Sequence, residues 1–145
     1  MLKDVPLKEF MVTKVISVQS DEPFSYVEEK LRVNKIRHLP VVDEYNKLVG
    51  IITERDLYHA ISPRRTQEGD DYYDESQLDS FILKEHMTPN PIALRSNSTF
   101  SEAVKIMATL KYGCIPIVSR DGILVGIITQ IDILKFLNRW LNPPN

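Results

Sequence analysis

Leu48-Val49-Gly50-Ile51-Ile52-Thr53 runs into Glu54-Arg55-Asp56, and 76 residues later Leu124-Val125-Gly126-Ile127-Ile128-Thr129 runs into Gln130-Ile131-Asp132. A near-continuous aliphatic run that closes on Thr reads as a buried strand feeding a helix start. The identity extends in both directions. Leu7-Lys8-Glu9 recurs as Leu83-Lys84-Glu85, Phe24-Ser25 as Phe100-Ser101, and Pro40 as Pro116. Met11 and Met87, Ile16 and Ile92, and Asp56 and Asp132 keep the same register, so two copies align without a gap from residue 7 to residue 56. The chain is therefore a duplication, and its fold is that of one unit made twice.

Each copy predicts strand, helix, strand, strand, helix. Val15 to Val18 is a short β-rich run, and Pro23 to Ile36 carries Phe24, Val27 and Leu31 at helical spacing. The second copy repeats that stripe with Phe100, Ala103, Val104, Met107 and Leu110. Leu39 to Val42 and Leu48 to Ile52 predict a buried hairpin, closed in the second copy by the strong turn signal Asp121-Gly122. The last helix starts at Thr129 and runs through Ile133, Leu134, Leu137, Trp140 and Leu141 to Pro143-Pro144. That stripe is wide enough for packing within the molecule and for a self-association face, and both readings stand. Between the copies, residues 62–77 collect Pro, Gly, Arg and acidic residues and read as a polar linker. The expected organisation is a first repeat at 1–61, the linker at 62–77 and a second repeat at 78–145. The expected fold is α+β and sandwich-like, with the two repeats related by a pseudo-two-fold axis and a cleft between them.

Composition narrows the function. The chain has 145 residues, is 43% hydrophobic and carries a formal charge of -2, which offers phosphate backbones no broad attraction and argues against a nucleic-acid partner. Arg64-Arg65 stands beside an acidic stretch and is thin evidence to the contrary. The acidic run itself lacks the alternating spacing of a calcium loop. No apolar run approaches the ~20 residues a membrane span needs, and Met1 to Pro6 is not followed by an apolar signal core, so a cytoplasmic location is expected. One cysteine, Cys114, excludes an internal disulfide, and with no placed activating partner it reads as a core residue. His38, His59 and His86 have no metal-ligand spacing. The glycines form no phosphate-cradling motif, so an enzyme is not expected.

Aliphatic-Pro-Val/Ile-Val, a turn, Leu-Val-Gly-Ile-Ile-Thr, and an Asp three residues past the Thr together resemble the CBS domain. Two in tandem resemble a Bateman module. The resemblance implies a regulatory module that binds AMP, ADP, ATP or an S-adenosyl compound without chemistry. It also implies a homodimer and an unidentified regulated protein. By resemblance, the first site combines Thr53, Asp56 and Ile51 with Ile92 and Tyr112, with Arg37 and Arg55 at its phosphate end and His38 close by. A carboxylate at Asp56 can accept from both ribose hydroxyls. The second site combines Thr129, Asp132 and Ile127 with Ile16 and Ile36. There Gly113 replaces Arg37 and Ile131 replaces Arg55. The first site is therefore expected to prefer phosphorylated ligands, and the second to be weaker or to favour a less charged one.

Plainer readings stand beside these. Thr-x-x-Asp is also an ordinary helix capping box. Arg37-His38 can be a solvent-facing pair, and Tyr112 a core aromatic. A dimerisation scaffold of the same fold that binds no ligand is the alternative function.

Overall fold

The computed structural model describes residues 1–61, 64–72 and 75–145. The linker expectation at Ser62, Pro63, Tyr73 and Asp74 lies outside the described residues. In chain order the elements are β1 (Val18–Gln19), α1 (Phe24–Asn34), β2 (His38–Val42), β3 (Leu48–Thr53) and α2 (Glu54–Ala60). Then come β4 (Arg64–Arg65), β5 (Asp71–Tyr72), α3 (Glu75–Leu78), α4 (Leu83–His86) and β6 (Thr88–Pro89). The second copy closes the chain with α5 (Phe100–Leu110), β7 (Cys114–Val118), β8 (Leu124–Thr129) and α6 (Gln130–Leu141). The mixed α+β class and the strand-strand-helix order of each copy are as expected. The first predicted strand, Val15 to Val18, is met only at Val18: β1 is Val18–Gln19, the two residues that pair with β2. Within the linker, β4 and β5 form an antiparallel hairpin whose turn uses Gly69 at φ +95, a conformation glycine adopts without a Cβ clash.

The chain forms two compact units that do not follow sequence order. Residues 16–91 make one, and residues 1–15 together with 92–145 make the other.

In the 16–91 unit the strand order is β1-β2-β3-β6. β1 is parallel to β2, β2 is antiparallel to β3, and β6 is antiparallel to β3. Val18, Leu39, Val41 and Ile52 pack with Phe24, Val27 and Leu31 of α1 and with Leu78 and Leu83. Pro23 gives α1 no side-chain cap, and Asp79 supplies one from 54 residues away, its Oδ1 accepting the Ser25 N–H at 3.0 Å. At the matching place in the second copy, Thr99 and Glu102 form their own capping box.

In the other unit β7 pairs antiparallel with β8 in the register of β2 with β3. Ile115, Ile117 and Ile128 pack with Phe100, Ala103 and Met107 of α5, Ile133 of α6, and Leu7 from the start of the chain. Phe10 stacks on Phe136 at 4.4 Å between ring centroids.

The leading segments are thus exchanged. Val12, from the first copy, bridges Ile127 in the second, and Thr88, from the second, pairs with Ile51 in the first. The glycines of the repeated strand explain the fit. Met87 lies where a Cβ on Gly50 would sit, and Met11 lies 2.9 Å, by its Sδ, from a Cβ built on Gly126. A residue without a side chain lets the exchanged segment lie against the strand.

Candidate functional site

Each copy ends its second hairpin strand on the threonine that caps the next helix. Thr53 Oγ1 accepts the Asp56 N–H at 3.1 Å, and Asp56 Oδ2 accepts the Thr53 N–H at 2.9 Å. Thr129 and Asp132 reproduce this at 3.3 and 2.9 Å. The plain capping-box reading is therefore correct in both copies. It does not consume the carboxylates: each uses Oδ2 for the cap, and among the described residues neither Oδ1 takes a hydrogen bond. Both acids are half-buried, held rigidly, and able to accept from a ligand hydroxyl.

Around the first box, His38 is the register partner of Thr53, and the Arg37 carbonyl accepts the Glu54 N–H at 3.0 Å. Arg37, His38, Thr53 and Asp56 are thereby gathered at one end of the sheet, with Arg37 and Arg55 exposed. Ile51 sits half-buried two residues earlier, paired with Pro40 on one side and Thr88 on the other. Around the second box, Cys114 partners Thr129, and the Gly113 carbonyl accepts the Gln130 N–H at 3.1 Å. Ile127 is half-buried between Pro116 and Val12. The backbone is the same at the two places, while two arginines and a histidine are exchanged for Gly113, Ile131 and Cys114.

The remaining expected contacts belong to different units from the boxes they were assigned to. Ile92 and Tyr112 lie in the unit that holds Thr129 and Asp132, and Ile16 and Ile36 in the unit that holds Thr53 and Asp56. Tyr112 follows Lys111, the left-handed C-cap of α5, and at 38% exposure it is not the core aromatic it resembles in sequence. Ile92 is equally open, whereas Ile16 and Ile36 pack against the core of their unit. A cavity of about 640 Å³ in the 16–91 unit is lined by Leu31 of α1, by Ile36 and Arg37 from the segment leading into β2, by Glu54 and Tyr58 of α2, and by Tyr72 of β5. Thr53 and Asp56 do not line it, so it is distinct from the ribose contact the resemblance implies.

Electrostatics separate the two boxes further. Burial and the neighbouring Arg37 guanidinium lower the His38 imidazole below its ordinary value, and the Asp56 carboxylate partly opposes them. Cys114, at the corresponding place, is buried and its thiol is pushed up to about 12, which removes it as a nucleophile near neutral pH. His38 is the residue that the sequence set under-weighted. Its signal was the register across the hairpin, which puts position 38 opposite position 53. Among the described residues no three His, Cys, Asp or Glu side chains are placed to hold a metal ion, and no helix is long and apolar enough to cross a membrane.

Known proteins resemble this chain in sequence and in fold. A CBS domain-containing protein of Dictyostelium discoideum is 32% identical over 142 residues, covering 96% of this chain and 95% of that protein. Inosine-5'-monophosphate dehydrogenase of Korarchaeum cryptofilum is 32% identical over 126 residues, which is 87% of this chain but 23% of that enzyme. Among solved structures, the CBS domain pair of protein MJ0100, in complex with 5'-methylthioadenosine and S-adenosyl-L-methionine, superposes with a TM-score of 0.75 at 26% identity, covering 92% of this chain and 96% of that one. CBSX2 of Arabidopsis thaliana shares the fold at a TM-score of 0.80 and 22% identity, covering 97% and 99% of the two chains. The CBS domain family itself matches residues 7–63 and 83–139, the two copies defined by the internal repeat, and the chain belongs to that family as a tandem pair.

Proposed function

We propose that this chain is a regulatory module that binds an adenine nucleotide or adenosyl compound reversibly and carries out no chemistry on it. The observation that carries the reading is the repeated Thr-Asp box, in which each carboxylate keeps one oxygen free of the cap and is fixed where β3 or β8 becomes a helix. A carboxylate so held suits a ribose diol, because accepting two hydroxyls requires a fixed acceptor. That the MJ0100 pair was crystallised with two adenosyl compounds supports the same ligand class here. The proposed contacts are Thr53, Asp56, Ile51, Arg37 and Arg55 for the first site, and Thr129, Asp132 and Ile127 for the second. The absence of both arginines from the second supports a preference for phosphorylated ligands (AMP, ADP or ATP) at the first and for a less charged adenosyl compound at the second.

A homodimer belongs to the same proposal. α6 buries Ile133 and half-buries Phe136 and Leu137, yet leaves Ile131, Leu134, Trp140 and Leu141 more than half exposed. So large an apolar strip on one helix suits a second copy or the regulated protein. A scaffold that binds nothing would use the same strip.

Thermal unfolding against AMP, ADP, ATP, S-adenosylmethionine and GTP separates these readings. At a hundredfold excess over Kd an adenine ligand stabilises by ~2.7 kcal/mol and raises the melting temperature accordingly. Asp56→Asn, whose side-chain oxygen can still accept the Thr53 N–H, is expected to keep the fold and lose the shift from phosphorylated ligands. No shift with any compound, in a protein that is folded, leaves the scaffold.

A further inference from the structure

His38 opens β2 where the sheet meets α2, directly across the hairpin from Thr53. Its ring is half-buried, and two charged groups act on it: Arg37 from its own segment and Asp56 from α2. At the matching place in the second copy, across from Thr129, stands Cys114, which is buried and carries no proton that moves near neutral pH. We propose that His38 couples the first site to pH: a phosphorylated ligand draws a proton onto His38 as it binds, so binding tightens as pH falls, while the second site stays indifferent. This deepens the adenine-ligand reading and rests on it.

The argument is one of charge. In the free protein, partial burial and Arg37 favour the neutral ring against the pull of Asp56. A phosphate brought to Arg37 offsets that guanidinium and adds negative charge beside the imidazole, which favours the protonated form. Linkage then works in both directions, because a ligand that raises a group's proton affinity binds more tightly to the protonated state by the same factor. In the window between the free and bound values, Kd falls by up to about tenfold for each pH unit of acidification. An adenosyl compound without phosphate lacks the charge that drives the uptake.

Isothermal titration of the full chain with AMP at pH 7, in PIPES, HEPES and Tris, counts the protons exchanged from the dependence of enthalpy on buffer ionisation. AMP has a titrating phosphate of its own, so the readout is the difference between wild type and His38→Gln. Wild type is expected to take up roughly 0.3 to 1 proton more per AMP than the variant, with no difference for adenosine. Equal proton counts, with AMP binding retained by both proteins, would overturn the coupling and leave the adenine-ligand reading standing. No binding of AMP or any other adenine compound by wild type would overturn both. If His38→Gln does not fold, the ring's titration midpoint in wild type, followed by NMR with and without AMP, decides the same question: an upward move supports the coupling, and an unmoved midpoint refutes it.

Discussion

Alanine at Gly50 tests the close approach that seats β6 against the strand carrying Ile51 and Thr53. A Cβ added there falls inside van der Waals contact of Met87 Sδ, with Cε at 3.0 Å and Cγ at 3.1 Å. Gly50 has no positive φ, so the cost is one of space rather than backbone strain. Overpacking of this kind costs about 1–3 kcal/mol, and alanine returns ~0.4–1 kcal/mol by restricting the unfolded chain, leaving a net destabilisation of roughly 0.5–2 kcal/mol. Met87→Ala removes the obstruction, so in that background Gly50→Ala becomes neutral or stabilising. The double-mutant cycle therefore yields a coupling of about 1–3 kcal/mol, read by urea unfolding with circular dichroism. Additivity within ~0.5 kcal/mol would refute the reasoning. The parallel cycle of Gly126→Ala with Met11→Ala recovers less, because the Val12 carbonyl also stands 3.2 Å from the new Cβ. Val12 cannot retreat: it exchanges hydrogen bonds of 3.0 and 2.9 Å with Ile127.

The capping role of Asp56 predicts that Asp56→Ala destabilises the ligand-free protein by ~0.5–2 kcal/mol, whereas Asp56→Asn costs less; equal melting temperatures for the two would deny the cap any energetic weight. His38 has a lowered folded value, so below about pH 6.5 the unfolded chain takes up its proton first and stability declines with acidification down to that folded value. Melting temperatures from pH 7.5 to pH 5 should show this slope in wild type and a smaller one in His38→Gln. Leu134→Glu, placed on the exposed strip of α6, is expected to shift light-scattering mass toward the monomer without lowering helicity, and an unchanged mass would remove α6 from any dimer contact.

The fold was legible because duplication supplies its own control. Each apolar pattern occurs twice at one spacing, so Leu48 to Thr53 could be read as a strand ending on a helix cap without knowledge of its partners. The boxes at Thr53 and Thr129 were legible for the same reason, since capping is local and spans three residues. What sequence could not give is long-range placement. Nothing local in Asp79 marks it as the cap of α1, and nothing in Tyr112 distinguishes an exposed aromatic from a buried one. The hairpin at Arg64–Arg65 and Asp71–Tyr72 was missed because two-residue strands of charged and polar residues carry no periodicity.

The exchange of leading segments bears on how this chain can be cut and rejoined. Its backbone passes from one unit to the other twice, after residue 15 and after residue 91. A fragment beginning at residue 78 would therefore carry away α5, β7, β8 and α6 without Leu7 and Phe10, which fill and cover their core. A circular permutant is the better division. Opened between Val15 and Ile16, with Asn145 joined to Met1 by a flexible linker, it makes each unit continuous and leaves a single crossing at residue 91. The order in which the sequence spells the two units is thus separable from the set of contacts that builds each of them.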